Sequence, residues 1–198
     1  MPSDAIADSP ASARRWWPAA VVATAAAVGW YAWPVVSGQH GDVAMVTDGA
    51  HALVAPHVVS EVRDRGRDIT DLGEVANWCA LAEAAPDLPI ADDVEMLVVA
   101  VTDRGDCAGD PIAAVVATLD DRSVAAVIVV PPGQQAPNVD ARMVPVESLL
   151  GPPSALTAEC EWWDVCVPGE TVTVRSADGQ LTDVGANRIA RMVAATIG

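Results

Sequence analysis

Three apolar runs frame the chain. Val43–Val46 leads into a turn at Thr47-Asp48-Gly49-Ala50, after which Leu53, Val54, His57 and Val58 recur at helical spacing, so Val43–Val59 reads as a buried strand running into a helix. Val94–Val101, interrupted only by Glu95, and Val124–Val130, stopped by Pro131-Pro132-Gly133, are the other two runs. Val/Ile runs of this length without apolar–polar alternation belong to strands buried on both faces. Helical patterns separate them: Glu74–Ala85 with Val75, Trp78, Cys79 and Ala82 on one face, Asp110–Leu119 opened by Asp110-Pro111, and a closing amphipathic helix over Leu181–Ile197. Shorter strands fit Arg67–Thr70, Met143–Val146 and Thr171–Arg175, and Asn138–Ala158 is Pro-rich and irregular. The alternation predicts an α/β fold, a three-layer α/β/α sandwich around a mostly parallel sheet of about five strands.

The N-terminal fifth has a different pattern. Residues 1–13 are small and polar, Arg14-Arg15 follows, and Trp16–Val36 carries no charge over 21 residues. A segment of about 20 apolar residues spans a bilayer, and flanking arginines mark the cytoplasmic side. Trp16 and Trp17 at one end, with Trp30, Tyr31 and Trp33 at the other, fit the two interfacial belts. A cleaved signal peptide is the competing reading, opposed by bulky aromatics where a peptidase needs small residues. The expected organisation is a cytoplasmic tail (1–15), one transmembrane anchor (16–36), a linker (37–42) and an extracytoplasmic domain (43–198) in a single-pass membrane protein.

Charge and composition narrow the partners. Asp4, Asp8, Arg14 and Arg15 cancel, so the whole net charge of −16 belongs to the later residues. Such a domain repels nucleic acid and anionic headgroups, which excludes nucleic-acid binding. The chain has no Phe and no Lys, every cationic side chain of Lys/Arg type being Arg, a codon signature that points to a GC-rich, actinobacterial genome.

Four cysteines beyond an anchor suggest two disulfides with three possible pairings. A six-residue spacing around a turn favours Cys160–Cys166, leaving Cys79 for Cys107. That short loop holds Trp162 and Trp163, adjacent rings that point opposite ways in an extended segment, one packing inwards while the other offers a stacking face to a sugar or a partner protein. Both rings packing beneath the loop is the plainer alternative.

The C-terminal stretch Ala177–Ala190, with Asp178, Gly179, Leu181, Thr182, Gly185, Arg188 and Ala190, resembles the last conserved block of the SGNH/GDSL hydrolases. In that block Asp-x-x-His supplies acid and base ahead of the final helix. The turn Thr47-Asp48-Gly49 resembles the family's Gly-Asp-Ser, and the Cys-x5-Cys loop resembles the version associated with acyltransferases of envelope polysaccharides. The resemblance covers about residues 41–198 and implies the same sandwich fold. It also implies a degenerate site: Gly49 stands in place of the nucleophilic serine, Gln180 is followed directly by Leu181 with no histidine, and Thr102-Asp103-Arg104-Gly105-Asp106 replaces Gly-x-Asn. Asp178 then has no imidazole to orient, and a serine-type mechanism lacks nucleophile, base and one oxyanion donor.

Two rebuilt sites come into question. His51 and His57 are six apart, about 240° around one helix, and do not share a ligand. His51, near the helix start beside Asp48, is the alternative base, against the blander reading of a solvated or capping histidine. Asp103, Asp106 and Asp110 lack calcium-loop spacing, so no metal and no cofactor is expected. The chain thus reads as a membrane-anchored, non-catalytic SGNH-like domain acting as a binding or accessory subunit in envelope assembly or a membrane complex. The alternatives are an active envelope esterase or O-acyltransferase with a rearranged site, and an anchor helix that packs through Ala23, Ala27 and Gly29 against a larger complex.

Overall fold

The computed structural model of the protein describes residues 42–198. The expected tail, the anchor helix and the linker up to residue 41 lie outside the described residues. Among those described, no helix is long and apolar enough to cross a membrane. The chain runs β1 (Asp42–Thr47), α1 (Val54–Asp64), β2 (Ile69–Glu74), α2 (Trp78–Ala84), a 3-10 turn at Ala85–Asp87, β3 (Val94–Ala100), α3 (Pro111–Asp121), β4 (Ala125–Val130), β5 (Arg142–Pro145), α4 (Val146–Leu150), β6 (Thr157–Glu159), β7 (Thr171–Thr173) and α5 (Asp183–Ile197).

Strands β1 to β5 form one parallel sheet in the order β2-β1-β3-β4-β5, as the unalternated apolar runs require. Successive side chains leave a strand on opposite faces, so each run feeds two cores. Val43, Met45, Val98 and Val129 pack with Val58 of α1 and Ile189 and Val193 of α5. Ala44, Val46, Val99 and Ile128 pack on the opposite face with Trp78 and Leu81 of α2 and Leu119 of α3. Helices therefore cover both faces of the sheet.

Several boundaries differ from those expected, each for a local reason. The helix expected from Glu74 starts at Trp78, because Asn77 is extended (φ −170°, ψ 178°) and its side chain accepts the Ala80 N–H at 2.9 Å as an N-cap. Glu74 closes β2 instead, and the Val75 N–H donates to Thr47 O at 2.8 Å. The second strand covers Ile69–Glu74 rather than Arg67–Thr70, since pairing with β1 (Val43↔Ile69, Thr47↔Glu74) supplies what the polar sequence ITDLGE lacks. Asp42, assigned to the linker, already lies in β1. The edge strand expected at Met143–Val146 falls one residue earlier, and the segment read as irregular contains α4 and β6. The last strand stops at Thr173, where the Val174 and Arg175 N–H groups turn to Leu156 O (2.9 and 3.1 Å). Helix α5 begins at Asp183, capped by Thr182, which accepts the Gly185 N–H at 3.2 Å.

Strands β6 and β7 make a separate antiparallel ribbon, Thr157↔Thr173 to Glu159↔Thr171. Helix α5 seats against the end of it. A Cβ on Gly185 would come within 2.3 Å of Val174 O, so only glycine permits this approach. At the sheet margins, β2 exposes Asp71 and Glu74, and its Gly73 N–H turns to the Asp71 carboxylate at 2.9 Å. On the far side β5 is four residues long and ends in Pro145. Both disulfides pair as the spacing favoured, Cys79–Cys107 (Cα–Cα 5.8 Å) and Cys160–Cys166 (6.2 Å).

Candidate functional site

In a sheet ordered 2-1-3-4-5 the chain reverses its direction of travel between β1 and β3. The loops leaving those two strands diverge, and ligands of parallel α/β folds gather there, at the carboxyl ends. Asp48 follows β1 directly and is fixed by its N–H to Ala100 O of β3 at 3.0 Å. The turn closes on itself: the His51 N–H donates to Asp48 O at 3.0 Å and to Asp48 Oδ1 at 3.0 Å, and the Val54 N–H opens α1 on His51 O at 2.8 Å. The His51 ring then comes back onto the carboxylate, Nδ1 to Asp48 Oδ1 at 2.9 Å. From the β3 side, Thr102 N–H donates to Asp48 Oδ2, and Thr102 Oγ1 lies 3.3 Å from His51 Nδ1. One carboxylate thus ties the two diverging loops together across the switch point.

Asp48 and His51 are each only 5% exposed. Burial by itself raises the Asp48 carboxyl, but the His51 hydrogen bond, the Thr102 N–H, the His51 charge and the Thr102 hydroxyl outweigh it and bring it down to about 2. An ionised Asp48 can only accept, so the ring hydrogen facing it sits on His51 Nδ1 and Nε2 takes no part in the pair. The depressed value has a consequence for stability. It contributes fully above the ordinary 3.8 and is lost as pH falls toward 2. Urea denaturation should therefore show the native protein losing about 2 kcal/mol between roughly pH 5 and pH 2 that an Asp48→Asn variant does not lose. Parallel pH profiles for the two proteins would refute this account of the network.

The other expected site residues are scattered. Gly49 is exposed beside Asp48, and a Cβ there would meet only Glu74 Oε2, at 4.0 Å. Thr47 is buried at the end of β1. The Asp103 carboxylate accepts the Gly105 N–H at 3.0 Å, and its carbonyl accepts the Trp78 N–H at 2.9 Å. Asp178 sits in the exposed turn before α5, where the Ser176 hydroxyl and the Gln180 N–H bond to it and hold it below its ordinary value. No hydrogen bond among the described residues joins Asp178 to His51 or Asp48. His51 lies beside Asp48 just ahead of α1, the place expected of the alternative base, but it is buried rather than solvated, because the tight Asp48–His51 turn folds its ring inwards. His57 is on α1, 3.9 Å from Asp183 of α5.

Two of the acidic trio are engaged locally, Asp103 as above and Asp110 as follows. Asp110 caps α3 through the Ile112 and Ala113 N–H groups (3.1 and 3.4 Å) and pairs with Arg104 at 2.9 Å. Cys160, Asp164 and Cys166 bring ligand atoms within 4.8 Å of one another, but the two sulfurs are bonded together and offer no thiolate.

Residues that the sequence did not single out complete both regions. Thr102, 54 positions from Asp48, supplies the cross-loop donor. Arg188, noticed only as a match to the family block, is buried on α5 and clamps the Cys160–Cys166 loop. Its Nε lies 3.4 Å from Asp164 Oδ1, its Nη2 contacts Asp164 Oδ2 and Glu159 O, and its Nη1 reaches Leu149 O at 3.0 Å. Above this clamp Trp162 is 85% exposed, while Trp163 turns inwards, the rings meeting edge to face with centroids 5.2 Å apart.

No protein-family model matches the chain, and no curated protein matches it. Among solved structures, the isolated REC domain of RcsB from Salmonella enterica serovar Typhimurium, determined in the presence of phosphomimetic BeF3-, is similar at 16% identity and a TM-score of 0.32, covering 48% of this chain and 64% of that one. The RcsB response regulator of Salmonella typhimurium is similar at 17% identity and a TM-score of 0.33, covering 46% and 44%. The matched portion is thus under two thirds of the length of each.

Proposed function

We propose that residues 43–198 form a degenerate SGNH-like domain that works as a non-catalytic binding or accessory subunit of a cell-envelope or membrane complex, held outside the membrane by the apolar segment 16–36. One observation carries this reading. The crevice where a reacting group belongs is bridged by hydrogen bonds among Asp48, His51 Nδ1 and Thr102, while Gly49 presents no nucleophile. Asp178, the residue placed by resemblance to orient a base, is engaged with Ser176 and Gln180 instead. Loss of a triad member leaves only the catalysis of binding and oxyanion stabilisation, and here more than one is missing.

A second reading rests on the Asp48–His51 pair itself. A buried, ionised aspartate on Nδ1 is the arrangement that readies a histidine Nε2 as a general base, which supports an esterase or O-acyltransferase with a rebuilt site. Turnover of a short-chain chromogenic acyl ester by the purified full-length protein separates the two. The expected outcome is no activity above background for the native chain, and a gain in a variant carrying Gly49→Ser and a histidine inserted after Gln180. The serine fits, since open space surrounds a Cβ at residue 49. Enzyme-like turnover by the native chain, abolished by His51→Ala, would overturn the non-catalytic reading.

A further inference from the structure

The disulfide loop is the place where this molecule breaks the usual rule for apolar side chains. Within six residues it exposes Trp162 (85%), Val165 (fully) and Val167 (60%), in a domain whose remaining large apolar groups are mostly interior. An isolated exposed aliphatic is ordinary, but a cluster crowned by an indole marks a contact surface. The loop is also held rigid. Cys160–Cys166 closes it, Glu161 N–H donates to Asp164 Oδ2 at 2.9 Å, Asp164 N–H donates to Glu161 O at 2.9 Å, and Arg188 fastens Asp164 from beneath. A pre-ordered aromatic surface forfeits little conformational freedom on binding.

Charge identifies the occupant. Glu159, Glu161 and Glu170 surround the base of the loop, Glu159 and Glu170 brought together where Cys160 N–H donates to Glu170 O at 2.9 Å. All three are exposed, and among the described residues no hydrogen bond or ion pair engages their carboxylates. No cationic residue occurs from Met143 to Val174, and Arg175, the next, is buried on the carbonyls of Leu150, Pro152 and Ala155. An indole face attracts cations, and unpaired carboxylates beside it add to that attraction.

We infer that the Cys160–Cys166 loop is the docking platform for a basic segment of a partner protein, whose Arg or Lys side chains stack on Trp162 and pair with Glu159, Glu161 and Glu170. This deepens the binding-subunit reading and rests on it. An uncharged glycan also stacks on tryptophan, but it leaves the three carboxylates without a counter-charge.

The test is calorimetric titration of the full-length protein with an oligoarginine peptide and, separately, with an uncharged chitin oligosaccharide. Saturable peptide binding is expected, weakening steeply as salt rises from about 50 to about 300 mM. Trp162→Ala leaves the charge unchanged and should weaken binding by roughly fivefold or more. Glu159→Gln, Glu161→Gln and Glu170→Gln together keep hydrogen-bonding capacity but remove charge, and should weaken it at least as much. Removing three charges elsewhere, with Asp120→Asn, Asp121→Asn and Asp140→Asn, controls for the general acidity and should change affinity less than twofold. Equal binding by native and Trp162→Ala protein, a flat titration, or salt-insensitive oligosaccharide binding that survives the glutamine triple would each overturn the inference. Ester turnover by the same preparation overturns the non-catalytic reading instead, so the two failures are distinct.

Discussion

Replacing Arg188 with alanine is expected to destabilise the domain by about 3–5 kcal/mol, because it takes the hydrogen-bonded guanidinium from a buried carboxylate. The pair is 3% and 6% exposed at Arg188 and Asp164. Burial raises the Asp164 carboxyl; the hydrogen bonds from Arg188 and the Glu161 N–H, together with the Arg188 charge, outweigh it and hold the group below its ordinary value. Removing the guanidinium withdraws its own bonds to Asp164 and also strips Leu149 O and Glu159 O of their donor. In a domain of this size the melting temperature should fall by roughly 6–20 °C. Since an unpaired buried charge costs more than the absence of both, Arg188→Met with Asp164→Leu should be less damaging than Arg188→Ala alone. Urea denaturation of the three proteins checks this, and additive single-mutant effects would show that the two side chains act independently.

The second large effect concerns the Cys79–Cys107 bridge. It closes a loop of 28 residues, for which chain entropy gives about 3.6 kcal/mol. The bridge joins the start of α2 to the loop after β3, where Trp78 already donates its N–H to Asp103 O and its Nε1–H to Val101 O (2.9 and 3.0 Å). Gly105, at φ +74°, lies so close that a Cβ would come within 2.7 Å of Asn77 Oδ1 and 2.9 Å of Cys79 Sγ. Those contacts keep the loop native-like once the bridge is gone, so the loss should be of stability rather than of fold. Cys79→Ser with Cys107→Ser should lower the melting temperature by roughly 7–14 °C at neutral pH, and the shorter Cys160–Cys166 loop should matter less. A melting curve unchanged by the double substitution would refute the entropic account.

What was legible in the sequence follows from which interactions are local. The runs at Val94 and Val124 declare themselves because both faces of those strands are buried, so every position is apolar. β2 is nearly silent, since Ile69–Glu74 lies at the sheet edge and owes its extended form to β1, a partner more than twenty residues away. The start of α2 was missed because the decisive group is one side chain, Asn77, within a stretch whose periodicity already looked helical. At the switch point, Asp48 and His51 are three apart and readable as a turn pair, whereas Thr102 enters only through the packing of β3 beside β1. Neither adjacency nor spacing marks Asp164 and Arg188, 24 positions apart, as partners. Trp162 and Trp163 do part, one outwards and one inwards, but they sit at the centre of a turn closed by Asp164 N–H on Glu161 O rather than in the extended segment expected.

The margins of the sheet bear on how this domain meets other molecules. An open strand edge is a template on which another chain lays its own backbone, and the affinity so gained is largely indifferent to sequence. Here both edges of the five-stranded sheet are blunted. β2 turns one N–H onto its own Asp71 and faces outward with carboxylates, and β5 ends after four residues in a proline that has no N–H to give. A sheet blunted at both margins resists stacking edge to edge with copies of itself, which leaves the shape and charge of particular side chains to distinguish one partner from another.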